Sequence, residues 1–531
     1  MTAFGYWVLF VFVAYFAVLI GIAIVRARHM DDMSDYVLGG RRMGTLTSAL
    51  SSASSAASGW TMLVFPALAF AGGLIHLWTA VGIALGHWLV WTLMGRRLRR
   101  YTVAAEDSLT IPEFFEKRFM DRSGTLRTVA AVITVFFIVF YVSSGLIAGA
   151  KLLEEVFAMS HDEYHWLGVL ITLAAITTYT FIGGFLAVSR TDVFQSLMML
   201  GGFILLPLML IVMADDPFRG MGSTGEGFWN PFTDQSGEAI GLVFVLSSAG
   251  WGLGALGSQR MLARLMAVDR EDHVPRSRNI GVSWVALMFS LGLLLGLIAV
   301  PALTERGLLD QVTADPERVY LVTSTEFFHP LVAGLLLTAV IAAVMSTADS
   351  QLLLASAIMT SDVPLMTRLT DALRADARVW LGRAMLLVVG GIAALLSIEH
   401  PDSVFNLVSL AWGGMGAAFG PATLLALYWR RFNYWGALTS ITVGTAVATL
   451  WWYLPLGAEA GAPIGALDGL WDLMKPQQSG IWSMQPATPG FLAATPAAVL
   501  VTLLTPPPNR EVSDLFEQVN GPAAAAPVAA P

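Results

Sequence analysis

The chain has 531 residues, 56% of them hydrophobic and 13% charged, with a mean hydropathy of +0.67 and a net charge of −8 at pH 7. A soluble protein carries roughly 25% charged residues, so these figures exclude a soluble globular class and predict an all-α polytopic membrane protein. The charge balance gives no basis for nucleic-acid binding, and the absence of cysteine excludes disulfides, thiolate catalysis and cysteine metal sites.

Apolar runs of about 20 residues, each long enough to cross the hydrocarbon core, recur along most of the chain. In order, about 13 spans are predicted, at 4–25, 46–72, 75–95, 125–150, 164–185, 191–214, 239–262, 280–303, 331–360, 383–398, 403–428, 433–454 and 488–506. The first lacks a charged n-region and a cleavage motif, so it reads as a retained span. With the N-terminus outside, 25 of the 30 Lys and Arg residues fall on the cytoplasmic side, counting Arg127, Arg260 and Arg383 at span ends. Basic residues concentrate on that side of a membrane. The bias therefore predicts an outside N-terminus and an inside C-terminus. The stretch 507–531, ending VNGPAAAAPVAAP, is expected to be a disordered cytoplasmic tail.

The second span contains LSSASSAASGWTMLVFP at 50–66, a Ser/Ala/Gly-rich half closed by a proline. Such a stretch either packs closely on a neighbouring helix or unwinds. Unwound backbone at membrane depth is tolerated where it lines a buried cavity or an aqueous path. In secondary transporters the coupling ion and the solute bind there. In the third span, His87 reads as a packed or interfacial residue. His161 and His165 have the spacing of a helical zinc pair, but they stand in a short external loop beside Asp162 and Glu163. A solvated helix cap is the favoured reading there.

Two acids stand inside spans. Asp192 opens the sixth, and Asp349 lies in the ninth beside Ser346, Thr347 and Ser350. An intramembrane carboxylate is costly and points to function by default. The alternatives are a helix-capping acid for Asp192 and an acid bonded to its own helix for Asp349. Hydroxyls, carbonyls and carboxylates suit a hard cation. No histidine is placed to activate a serine near Ser54–Ser58, and no Walker loop is present. Neither an enzyme nor an ATP-driven pump is expected.

Four blocks carry a family resemblance: DYVLGGRRMG (35–44) leading into ASGWTML (57–63); YTFIGGFLAVSRTDVFQ (179–195); WGLGALG with LARLMA (251–267); and AAVMSTADSQLLLAS (342–356) with AWGGMGAAFGP (411–421). On these the chain resembles the sodium/solute symporter family, and within it the bacterial proline-carrying members. The resemblance implies a five-plus-five inverted repeat with a broken first core helix. Residues 46–428 would form that core and 1–45 an additional N-terminal helix and loop. Residues 429–506 would form C-terminal helices. It implies sodium as the coupling ion, a small-molecule substrate with proline first among amino acids, and residence in the bacterial inner membrane. A membrane sensor on the same fold is the reading of a different class.

By motif position, the resemblance assigns sodium to the carbonyls of Ser54, Ala57 and Ala343 and the hydroxyls of Ser346 and Thr347. A candidate second cation site takes Asp192, Asp349 and Ser350. Substrate contacts fall to Ser58, Trp60, Tyr141, Trp251, Ala255 and Gln259. Two departures stand out. The proline-carrying members have an aspartate just before Ser-Gly-Trp where this chain has Ala56, and a serine where it has Asp349. This suggests a carboxylate moved across the site. A tyrosine of that branch is Ala255 here, and Ser258-Gln259-Arg260 lacks its Pro-His. Another amino acid or a small carboxylate is therefore the alternative substrate.

Overall fold

Backbone inside a bilayer finds no water, so each apolar run must satisfy its own N–H and C=O groups by forming a helix. The computed structural model describes residues 3–27, 33–213, 227–364, 366, 375–399, 404–460 and 484–521. Among these residues there is no strand, only the isolated bridges Met43–Val268 and Thr233–Ala239.

The chain runs through α1 (Ala3–Ala27), α2 (Met33–Leu38), α3 (Thr45–Ala56), α4 (Phe65–Gly72), α5 (Leu77–Leu89), α6 (Gly95–Ala104), α7 (Ile111–Arg118) and α8 (Thr125–Phe157). It continues through α9 (His161–Met213), α10 (Leu242–Gly250), α11 (Leu253–Gly257), α12 (Gln259–Met266), α13 (Val274–Glu305), α14 (Leu309–Ala314) and α15 (Val319–Phe327). It closes with α16 (Pro330–Ser361), α17 (Ala375–Glu399), α18 (Val404–Tyr428), α19 (Tyr434–Ala460), α20 (Ala487–Leu504) and α21 (Arg510–Asn520).

By length and hydropathy, nine helices among the described residues can cross a membrane, or ten with the bent pair around Ser258. The expected count of 13 is not confirmed by that measure. Two of the nine are interrupted. Gly73 (φ 79°) separates α4 from α5, and Gly184 (φ 60°, ψ −166°) breaks α9.

Two further breaks matter more. α3 stops at Ala57 (φ −91°, ψ 93°) and the chain resumes in a π-helical turn over Trp60–Val64. Pro66 follows and cannot donate to the carbonyl four residues back. Gly59 fits this turn against α8 and α16. A β-carbon there would lie 2.7 Å from Ala148 Cβ and 3.1 Å from a Val344 methyl. Between α11 and α12, Ser258 is extended (φ −66°, ψ 104°) and the axis bends by 48°. Between the two broken helices lie α5–α6, α8 and the two halves of α9.

α16 is the most enclosed long helix, buried almost without interruption from Leu336 to Ile358. It packs on α9, α8, α17 and α1. α3 packs on α9 and α13 and buries Ser48 through Ser55. The stretch expected as a disordered tail instead carries α21. Asn509 caps it by accepting from the Val512 N–H at 2.9 Å, and Val512, Leu515 and Val519 are buried. An apolar stripe at that spacing docks a short helix. Residues 522–531 lie outside the described residues.

Gly184 has a conformation open essentially to glycine alone, which costs other residues about 1–3 kcal/mol. Gly184→Ala is expected to destabilise the purified protein by that amount, read as a lower thermal midpoint. Gly391→Ala, at a helical site with open space around it, is expected to leave the midpoint unchanged or slightly raised. Equal midpoints for all three proteins would contradict the strain argument.

Candidate functional site

The break in α3 frees carbonyls that α16 meets with hydroxyls. Ser346 Oγ donates to the Ser54 carbonyl at 3.3 Å and to the Ala343 carbonyl at 3.2 Å. Thr347 Oγ1 donates to the Ser55 carbonyl at 3.1 Å. Ser54, Ala343, Ser346 and Thr347 are thus gathered at one contact between the helices, and all are buried. Ala57 sits at the break itself, and no hydrogen bond links its carbonyl to the set among the described residues. Thr347 engages Ser55, one residue beyond the expected Ser54.

On the far side of the break, Trp60 stacks on Trp251 with ring centroids 4.6 Å apart and planes 26° from parallel. Each tryptophan comes from one of the two broken helices. Such a pair contributes about 0.5–1.5 kcal/mol beyond its burial. Trp412 Nε1 donates to the Trp251 carbonyl at 2.7 Å, which fixes the ring from α18. Tyr141 OH reaches Ser58 Oγ at 3.4 Å.

These rings enclose a cavity of about 20 Å³, lined among others by Ala56, Trp60, Tyr141, Trp251, Ala255 and Trp412. That is room for about one water. Of the expected substrate residues, Trp60, Tyr141, Trp251 and Ala255 line the cavity, and Ser58 joins through Tyr141. Gln259 is buried outside its lining, and neither its Oε1 nor its Nε2 has a hydrogen-bond partner among the described residues. Sequence reasoning missed His87 and Trp412. His87, expected as a packed residue, lies on the cavity wall with Nε2 unpartnered.

The acids form a separate network. Asp192 Oδ2 accepts from Ser51 Oγ at 2.5 Å and from Arg264 Nη2 at 3.2 Å. Arg264 also donates to Ser350 Oγ at 2.5 Å, to Ser51 Oγ at 3.1 Å and to the Arg260 carbonyl at 3.2 Å. Asp349 accepts from Tyr179 OH and from the Ser350 N–H. Asp192 and Ser350 are therefore brought together, through a guanidinium. Asp349 is turned to Tyr179 and to its own helix, not across the site toward Ala56. The relocated-carboxylate expectation gains no contact here.

Arg264 is the residue whose position differs most from its sequence reading. It counts there as a cytoplasmic loop charge, yet it is fully enclosed on α12. Arg260, one helical turn before it, is also enclosed. Its Nη2 donates to Tyr141 OH at 3.2 Å, and its guanidinium lies 4.4 Å from the Tyr141 ring centroid. Its Nε and Nη1 have no hydrogen-bond partner among the described residues. The legible signal was two arginines four apart directly after a glycine-rich span.

Breaking a buried pair by removing one partner costs about 3–5 kcal/mol, because a bare charge is left behind. Arg264→Met is expected to lose about that much stability. Adding Asp192→Asn should recover a large part of it. Thermal denaturation of the four proteins in detergent checks this; an additive double variant would show the two groups to be uncoupled.

Comparison with known proteins places these features. The model of the sodium:solute symporter family matches residues 36–444. The osmoregulated proline transporter OpuE of Bacillus subtilis is 34% identical over 509 residues, covering 94% of this chain and 96% of that one. The sodium/proline symporter of Escherichia coli is 33% identical, covering 96% and 95%. A substrate-bound, outward-open sodium-coupled sialic acid symporter superimposes with a TM-score of 0.74 at 18% identity, over 96% of this chain and 99% of that one. Its identity is low enough that it speaks for the fold alone. That fold is the inverted-repeat transporter core with a broken first core helix, as the two interrupted helices here display. Sodium is the coupling ion of the group, and the chain is a multi-pass protein of the lipid bilayer. By the extent of the family match and the identity to its relatives, the chain belongs to the sodium:solute symporter family.

Proposed function

We propose that the protein imports proline with sodium across the bacterial inner membrane, with its N-terminus outside and its C-terminus inside. Residues 46–428 do the work, and the flanking helices support it. The observation that carries this reading is the contact between the broken helix and α16. There the Ser54 and Ala343 carbonyls accept from Ser346 and the Ser55 carbonyl accepts from Thr347, on the helix whose break leads to the Trp60–Trp251 pair. Sodium is cargo in this account. A hard cation replaces hydroxyl–carbonyl hydrogen bonds with direct oxygen ligands, and Ala57 joins as the break adjusts. The solute separates the two tryptophans and contacts Ser58, Trp60, Tyr141, Trp251 and Ala255, with Gln259 within reach from below. The proline-transporting relatives support the choice of solute.

Asp192 and Ser350 are a second cation site only when Arg264 withdraws from both. In the present arrangement the guanidinium supplies the positive charge there. Asp349, bonded to Tyr179, supports the position of that wall.

A second reading rests on Arg260. A buried guanidinium with two unpartnered nitrogens behind Tyr141 favours a solute with a net negative charge. This supports a small carboxylate over a zwitterion.

Uptake of labelled proline into proteoliposomes under an imposed sodium gradient tests the first reading. Competition by other amino acids and by small monocarboxylates separates it from the second. Stronger competition by a monocarboxylate than by unlabelled proline would favour the carboxylate. Ser346→Ala and Thr347→Ala are each expected to raise the sodium concentration for half-maximal uptake, with a smaller effect at saturating sodium. Unchanged sodium dependence in both would remove the assignment. Ala255→Tyr fills the cavity wall and should favour proline over larger competitors. An unaltered ranking would mean that residue 255 does not face the solute.

A further inference from the structure

A cluster at the other end of α8 is used by none of this. α8 ends at Phe157 and α9 begins at His161. Across that turn Glu154 Oε2 lies 3.0 Å from His161 Nδ1, and Glu154 Oε1 lies 2.8 Å from His165 Nδ1. The candidate donor atoms of all three residues fall within 4.8 Å of one another. His161 is exposed, while His165 is buried.

The second nitrogen of His165 decides what this cluster is built for. His165 Nε2 is 3.3 Å from the Ser397 carbonyl on α17. A carbonyl only accepts, so Nε2 carries the proton. In the neutral ring Nδ1 then presents a lone pair beside a carboxylate oxygen, and in the imidazolium it donates to that oxygen. The two atoms, 2.8 Å apart, are bridged by a proton when the ring is an imidazolium and are open to a metal ion when it is neutral. Ser397 is itself held, bonding Ser143 Oγ of α8 at 2.7 Å and the Ser143 carbonyl at 3.2 Å. A ring nitrogen donating to a backbone carbonyl while its partner nitrogen faces a cation is the usual support of a metal-bound histidine.

We propose that Glu154, His161 and His165 bind a divalent transition-metal ion, with zinc as the reference. Two imidazoles and one carboxylate are the ligand types that zinc takes, and a hard oxygen-seeking ion such as magnesium does not match them. The exposed side of His161 leaves a position for water. The metal ties the last turn of α8 to the first turn of α9, and His165 extends that tie to α17. The site lies apart from the broken helices and does not depend on the identity of the transported solute.

The test uses the purified full chain in detergent, titrated with zinc alone and assayed by equilibrium dialysis with metal quantification. One zinc per chain is expected, retained against an excess of magnesium of about a hundredfold. His161→Ala and Glu154→Gln are each expected to weaken binding about tenfold or more. Asp162→Asn, a neighbouring exposed acid outside the donor set, is expected to bind as the parent does. His161 is exposed, so its variant folds, and its thermal midpoint without metal serves as the check. If Glu154→Gln fails to fold, the His161→Ala result decides alone. Zinc binding of equal affinity in parent and His161→Ala, no zinc bound by the parent, or displacement by magnesium would each overturn the proposal.

Discussion

A helix that breaks inside a bilayer must hand its freed carbonyls to something other than water. In this chain the rest of the arrangement follows from how that demand is met. The break at Ala57–Gly59 leaves Ser54 and Ser55 carbonyls facing α16, and α16 answers with Ser346 and Thr347. Gly59 lets the chain turn against Ala148 and Val344, where a larger residue has no room. Beyond the break, Trp60 is delivered to Trp251, which stands on the other interrupted helix. The proposed cation contacts and the tryptophan pair are therefore two sides of one discontinuity.

Charge at depth is handled differently. Four polar groups, Ser51, Ser350, Arg260 and Asp192, converge on the Arg264 guanidinium. A buried arginine with a carboxylate and hydroxyls around it is a satisfied group, and it locks α3, α9, α12 and α16 to one another. Arg260 is not satisfied in the same way, since two of its nitrogens lack partners. The two arginines, one helical turn apart, thus differ: Arg264 is bonded from each of its nitrogens, and Arg260 keeps two without a hydrogen-bond partner among the described residues.

Much of this was legible in the sequence. The Ser/Ala/Gly run ending at Pro66 announced the broken helix, because small residues and a missing N–H are what an interrupted span needs. Ser346 and Thr347 were legible from their place in a block with an intramembrane acid. The direction of Asp349 stayed open between its own helix and the site, since only the fold shows that Tyr179, some 170 positions earlier in the chain, reaches it. Arg264 was counted with the loop charges, because a positive-inside tally cannot tell a solvated arginine from one paired to Asp192. The α8–α9 turn was read as a solvated cap for a similar reason. Its histidine pair was visible, but Glu154 joins only when the turn is folded. The tail helix was hidden by the low-complexity residues that follow it.

If one break serves both ligands, sodium and solute must bind with mutual dependence, and linkage makes the two effects equal. The most direct measurement is therefore equilibrium binding of labelled proline to the purified protein over a range of sodium concentrations, paired with sodium binding over a range of proline concentrations. The account predicts that each ligand tightens the other by the same factor, and that potassium in place of sodium gives no tightening. Proline affinity independent of sodium would contradict a shared site.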